Sequence, residues 1–151
     1  MMTITVADVV DNTLSESGWG SFSIYVFRDG DFVLYVGKAE QNIIDRLEDH
    51  LGLSYRPESQ IGRLVNDNAP GSYQWKIDLL TMDDCQPIAA RHFPTAKLID
   101  VITAERAIIS EFRPPLNRQS NANARPLPRK YTRHKELRMQ AAHKKVFDGK
   151  R

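Results

Sequence analysis

The chain has one cysteine, Cys85, among 151 residues. That excludes an internal disulfide and any cysteine-based metal site, and it suits a reducing compartment. No stretch approaches the roughly 18 apolar residues of a membrane span. The start, Met1 to Asp11, holds neither a basic residue nor a long apolar run, so it does not read as a secretory signal. No internal repeat is visible. These absences predict a soluble, cytoplasmic protein with no membrane partner. The 41% apolar content is enough for a real core, and the length fits one domain, or one domain with a tail.

Basic charge is scarce over most of the chain and concentrated at its end. Residues 1–112 carry 9 Lys and Arg against 17 Asp and Glu, a balance of −8. Residues 113–151 carry 12 against 2, a balance of +10. A basic tail on an acidic body suits a nucleic-acid-binding arm, or it folds back on the body itself. The two readings are compatible.

Patterning divides the chain into short elements. Thr5 to Leu14 reads as a short helix, with Thr5 and Asp8 as a capping pair. Phe22 to Phe27 and Phe32 to Val36 are rich in aromatic and β-branched residues and read as a hairpin turning at Asp29-Gly30. A three-residue loop, Arg28-Asp29-Gly30 with Gly30 left-handed, places Tyr25 and Tyr35 on one face; a two-residue turn there would place them on opposite faces. The odd-numbered loop is the expectation. Asn42 caps a helix to Leu51, striped by Ile43, Ile44, Leu47 and Leu51 and ended by Gly52. Arg46 and His50 lie one turn apart on its flank. Ser59 to Asn66 suggests another short helix, and Tyr73 to Leu80 a third strand. Thr81 to Pro94 reads as irregular and polar.

Lys97 to Phe112 gives the clearest helical spacing, through Leu98, Val101, Ile102, Ile108, Ile109 and Phe112, with Glu105 in the middle of that stripe. Arg113-Pro114-Pro115 stops it. Ser120 to Pro128 is a linker, and Lys130 to Phe147 a basic helix with His134, Leu137 and Arg138 loosely on one side.

Glu105 is the strongest single chemical signal. A carboxylate on an apolar face is costly unless it pairs with an arginine or binds a metal. Arg46 can grip a phosphate with two prongs, or it is a solvated helix residue. His50 beside it can exchange a proton, or it is structural. Tyr25 and Tyr35 can position water; with a pKa of about 10, either needs a nearby cation to act as a base. Lys38 can steer phosphate. Asn117 can bond a nearby backbone group or help organise a site.

The ordered set is more specific than its members. Ser23-Ile24-Tyr25, Tyr35-Val36-Gly37-Lys38-Ala39, Arg46-x-x-x-His50, and Ala104-Glu105-Arg106 through Pro114-Pro115-Leu116-Asn117 together resemble the GIY-YIG nuclease family. The Tyr-Val-Gly-Lys-Ala stretch is similar to the matching strand end in the nuclease subunit of bacterial excision repair. The Arg-x-x-x-His pair is similar to that of homing and restriction members. Ser23 stands where the family name has glycine. The resemblance spans roughly residues 21 to 117 and is thin between Gly52 and Lys97.

The resemblance implies a small α/β (α+β) layer, a three-stranded antiparallel sheet flanked by helices. It also implies magnesium- or manganese-dependent hydrolysis of DNA phosphodiesters. On that basis Tyr25 activates the attacking water, Tyr35 assists, Arg46 steadies the phosphate, Glu105 holds the metal and Asn117 organises the site. Lys38 and His50 match positions that vary between branches. Residues 1–20 become a lead-in, 21–117 the catalytic core and 118–151 a basic linker and helical tail. Lys38, Arg46, Arg118, Arg125, Arg129, Lys130, Arg133 and Arg138 become the DNA contacts, helped by Lys135, Lys144 and Lys145. A homodimer would be needed to cut both strands at once. The alternative is a catalytically silent nucleic-acid-binding module of the same fold, or an assembly protein whose tail docks on an acidic partner.

Overall fold

A computed structural model describes residues 1–148, the side chains of His134, Phe147 and Asp148 aside. Lys150 and Arg151, counted above in the basic tail, lie outside the described residues. Over the described residues the chain is a mixed α/β fold with a four-stranded antiparallel sheet and six α-helices. The strands are β1 (Met2–Thr5), β2 (Phe22–Asp29), β3 (Phe32–Lys38) and β4 (Lys76–Thr81), in the order β1-β4-β2-β3. The expected three-stranded sheet is therefore short by one strand. The missing strand, β1, is a four-residue edge element whose partner lies more than 70 residues on, with Met2 opposite Leu79. So short a segment carries little alternation of its own, and its pairing is invisible to local pattern. It also places residues 1–20 partly within the sheet.

The helices are α1 (Val6–Val10), α2 (Ile43–Leu51), α3 (Gln60–Asp67), α4 (Met82–His92), α5 (Val101–Phe112) and α6 (Arg133–Asp148). They sandwich the sheet. One face packs α1 to α3 through Val6, Ile43, Leu47 and Ile61 against Tyr25, Phe27, Ile77 and Leu79. The other packs α4 and α5 through Cys85, Ala104, Ile108 and Ile109 against Ile24, Val26, Val36 and Leu80. Among the described residues no helix is long and apolar enough to cross a membrane.

Local chemistry sets most boundaries. Thr5 and Asp8 form the capping box of α1. Asn42 Oδ1 accepts from the Ile44 and Asp45 N–H groups, and Gly52 closes α2 in the left-handed region at φ 73°. Three expectations need correction. The stretch from Thr81 to Pro94 is not irregular: α4 occupies it, opened by a second capping box in which Thr81 Oγ1 accepts from Asp84 N–H and Asp84 accepts from Thr81 N–H. Pro87 inside the helix obscures that signal in the sequence. α5 starts at Val101 behind the Asp100 cap, so Leu98 is 90% exposed and stands outside the stripe. A short 3-10 turn at Gly71–Gln74 precedes β4, which delays the third strand of the expected set to Lys76.

The hairpin is also corrected. Its turn has two residues, Gly30 and Asp31, with Asp29 opposite Phe32. A bulge then follows: Arg28 lies opposite Val33 and Phe27 opposite Tyr35, which leaves Leu34 as the extra residue. The bulge shifts the register by one, the shift expected of an odd-numbered loop. Tyr25 pairs with Gly37, and Tyr25, Phe27 and Tyr35 share one face. Gly30 is left-handed, at φ 57°.

Candidate active site

The site begins where β2 and β3 pair Tyr25 with Gly37. A Cβ on Gly37 would sit 2.3 Å from both Cζ and the hydroxyl oxygen of Tyr25, so the ring occupies the space that glycine leaves. Tyr25 is 1% exposed. Its hydroxyl lies 2.6 Å from Nε2 of His50, and Nδ1 of His50 lies 2.6 Å from Ser59 Oγ at the start of α3. The Tyr35 ring lies 6.4 Å from that of Tyr25 and 5.4 Å from that of His50, centroid to centroid. α3 approaches this cluster closely because residue 62 is glycine: a Cβ there would fall 1.7 Å from the His50 carbonyl oxygen.

Burial dominates the electrostatics. It raises the Tyr25 phenol; the neighbouring Tyr35 adds to the rise, the positive charge of Arg46 opposes it and Glu105 adds a little more. Burial raises Tyr35 too, with Glu105 adding and Arg46 opposing. Burial and then Arg46 push His50 down to about 4, against the opposing pull of Asp49. His50 is therefore a neutral imidazole at pH 7. Burial raises the Glu105 carboxyl, with Lys38 and Arg106 pulling the other way.

Outside this buried cluster lies a cleft of about 980 Å³. Tyr25, Tyr35 and Lys38 form its floor, α2 supplies Asp45, Arg46 and Asp49, and α5 supplies Glu105 and Arg106. Asn117 and Arg118 close the β3 side. Tyr25, Tyr35, Lys38, Arg46, Glu105, Asn117 and Arg118 thus all line one cleft. His50 is at the site but not in the cleft: it stands behind Tyr25. Asn117 bonds the backbone, as its simplest reading had it. Its Oδ1 accepts from Val36 N–H and its Nδ2 donates to the Val36 carbonyl, both at 2.8 Å, so it covers the free edge of β3 between Tyr35 and Gly37.

Among the described residues Arg118 is the one tail cation in the cleft lining; the others lie elsewhere. Lys130 lies 3.8 Å from Asp29, Arg129 lies 3.4 Å from Glu136, and Arg138 pairs with Asp67 at the far end of α3. Arg125 and Arg133 are exposed and do not line the cleft. Tyr131, between them in sequence, is buried against Trp75 and Phe32, and its hydroxyl donates to Asp29. The first part of the tail is bound to the body, as the fold-back reading has it. Among the further cleft residues, Arg56 and Ser59 carry no signal of a site in the sequence, and Arg106 stands there only as the neighbour of Glu105. Ser59 was visible only as the start of a helix, and Arg56 sits in a stretch without periodicity.

Glu105 supplies the test for a metal. Its carboxylate is half-buried and, among the described residues, accepts no hydrogen bond and joins no ion pair. The arginine-paired reading of this residue therefore finds no support. A hard oxygen donor of this kind fits magnesium, which keeps several waters and takes one or two protein carboxylates plus phosphate. It does not fit an all-protein cage, since no group of three or more His, Cys, Asp or Glu among the described residues could hold an ion. No protein-family model, curated protein or solved structure matches the chain.

Proposed function

We propose that the chain is a metal-dependent endonuclease of the GIY-YIG kind, which hydrolyses phosphodiester bonds in DNA. The observation that carries the reading is Glu105: a half-buried carboxylate, without a hydrogen bond or ion pair among the described residues, in one cleft with Arg46, Lys38, the buried Tyr25 and the partly buried Tyr35. A structural core has no use for that combination, whereas phosphodiester hydrolysis uses every member of it.

Arg46 is exposed and, among the described residues, joins no ion pair; beside the Tyr25 hydroxyl, its guanidinium can meet two phosphate oxygens. Lys38, 3.6 Å from Glu40, adds a second positive charge at the end of β3. Tyr25 takes a proton from the attacking water and passes its own to Nε2 of His50, which is neutral and 2.6 Å away. Free tyrosinate, which burial opposes, then need not accumulate. An incoming phosphate neutralises Arg46, the charge that helps hold His50 down, so substrate itself raises the basicity of the acceptor. A divalent ion held by Glu105 would supply charge stabilisation at the phosphate and its leaving oxygen. Tyr35 and Asn117 keep the strand end in register around the reacting groups.

The protein would be a cytoplasmic enzyme whose single site cuts one strand, so double-strand cleavage takes two copies or two visits. The test is incubation of supercoiled plasmid with the purified protein, with magnesium or manganese and with chelator, beside Glu105→Gln. Metal-dependent nicking that the variant loses supports the proposal. DNA binding without cutting on plasmid and branched substrates would instead favour a silent binding module.

A further inference from the structure

Ser59 stands in a position that the reaction above does not explain. Its Oγ is 2.6 Å from His50 Nδ1, its backbone N–H donates to the His50 carbonyl at 3.1 Å, and it lines the cleft that His50 does not reach. Both imidazole nitrogens of His50 are thus engaged by hydroxyls, Tyr25 on Nε2 and Ser59 on Nδ1. A neutral imidazole has one N–H, so one hydroxyl must donate and the other accept. A phenol is the stronger acid and the weaker acceptor of the two. The lower-energy arrangement has Tyr25 donating to Nε2 and Nδ1–H donating to Ser59. Ser59 can take that role because its own proton has another acceptor, the His50 carbonyl at 3.5 Å, while its oxygen also receives the Gly62 N–H.

We propose that Ser59 is a positioning residue that locks His50 in the Nδ1-protonated tautomer and so reserves Nε2 as the acceptor for the Tyr25 proton. The step it governs is one transfer. The Tyr25 O–H bond breaks as water gives its proton to the same oxygen, and the Tyr25 proton forms the Nε2–H bond. His50 becomes imidazolium, and the water becomes the hydroxide that attacks phosphorus. With the other tautomer Nε2 already carries hydrogen, and the transfer has no acceptor. Ser59 keeps its own proton throughout. The inference rests on the hydrolytic reading for its consequence, but not for its geometry.

Two measurements test it on the full-length protein. Long-range 1H–15N correlation of the His50 ring reads the tautomer directly, without any substrate. The wild-type chain should show a protonated Nδ1 and a bare Nε2. Ser59→Ala should shift the population toward Nε2–H, and Ser59→Thr, which keeps a hydroxyl, should restore the wild-type pattern. Plasmid nicking with magnesium should then show kcat reduced about tenfold or more in Ser59→Ala with KM little changed, and recovery in Ser59→Thr. Ser59 also caps α3, and loosening that helix alone would raise KM by displacing cleft residues instead. A wild-type ring protonated on Nε2 overturns the inference, and that reading stands even where Ser59→Ala fails to fold. A Ser59→Ala chain with unchanged kcat overturns it as well. Absence of cleavage by the wild-type chain sinks the hydrolytic reading and leaves the tautomer to be judged on its spectrum.

Discussion

Gly37→Ala is the sharpest perturbation that the structure offers. The added methyl would lie 2.3 to 2.5 Å from Cζ, Cε2 and the hydroxyl oxygen of Tyr25, against about 3.5–4.0 Å for an ordinary carbon contact. The backbone of Gly37 is not in the left-handed region, so the cost comes from the contact alone. One group must move by more than about 1 Å, given that ordinary spacing. The ring has little freedom to do so. Phe27 meets it edge-on at 6.1 Å, His50 at 5.4 Å, and its hydroxyl is tied to Nε2 at 2.6 Å. Overpacking of this kind costs about 1–3 kcal/mol, which lowers Tm by about 2–12 °C for a chain of this length. Breaking the hydroxyl bond would strand a buried imidazole nitrogen at about 1–3 kcal/mol more. A displacement near 1 Å at the reacting oxygen would reduce cleavage about a hundredfold. Thermal denaturation followed by circular dichroism, with plasmid nicking alongside, reads both effects. In a double-mutant cycle, Tyr25→Ala should relieve the Gly37→Ala penalty, since the clash needs both groups. If Gly37→Ala melts with the wild type, or its cost adds independently to that of Tyr25→Ala, the close approach does not govern the site.

Three other outcomes follow from the geometry. Tyr131→Ala should cost about 3–5 kcal/mol in urea denaturation, because Tyr131 is 3% exposed between Trp75 and Phe32; an independent tail would leave stability unchanged. His50, pushed down to about 4, should show no NMR titration from pH 8 to pH 5. Because its folded pKa lies below the unfolded value of about 6.5, its contribution to stability is complete above that value and declines as pH falls from there toward 4; a flat stability profile over that window would contradict the shift. Finally, Arg118→Ala should weaken DNA binding and reduce its salt slope by about 0.9, whereas Arg138→Ala, already paired with Asp67, should change the slope little; equal losses would mean that the tail grips DNA as the cleft does.

Much of the site was legible because its parts are local. Tyr25, Tyr35, Lys38, Arg46 and Glu105 each belong to an element whose period or cap is readable, and the spacing between those elements carries the rest. The elements that were missed depend on distant partners or conflicting signals. β1 exists only because β4 is beside it. α4 is announced by Thr81 and Asp84 but contradicted by Pro87. The hairpin register was anticipated for a different reason from the one observed: a bulge at Leu34, which leaves no local trace, does what a longer loop would have done. Ser59 was readable as a cap. Its second contact, with His50 nine residues back, needed the close approach that Gly62 permits.

Charge placement bears on what the cleft can hold. Of the tail's cations, Lys130 and Arg138 pair with Asp29 and Asp67 of the body, Arg129 pairs with Glu136 of the tail itself, and only Arg118 lines the cleft among the described residues, so little of the basic excess at the end of the sequence reaches the cleft lining. The cleft itself sets five cations, Lys38, Arg46, Arg56, Arg106 and Arg118, against four carboxylates, Glu40, Asp45, Asp49 and Glu105. That near balance gives weak attraction for a polyanion as such, since non-specific affinity grows with each phosphate neutralised. It also makes a divalent cation consequential: one ion at Glu105 would change the cleft from nearly neutral to clearly positive. On the proposed function, magnesium then acts in binding as well as in chemistry, and DNA affinity itself should rise with magnesium in the wild type but not in Glu105→Gln. Binding that is indifferent to the ion in both proteins would place the attraction elsewhere on the surface and separate the grip on DNA from the carboxylate.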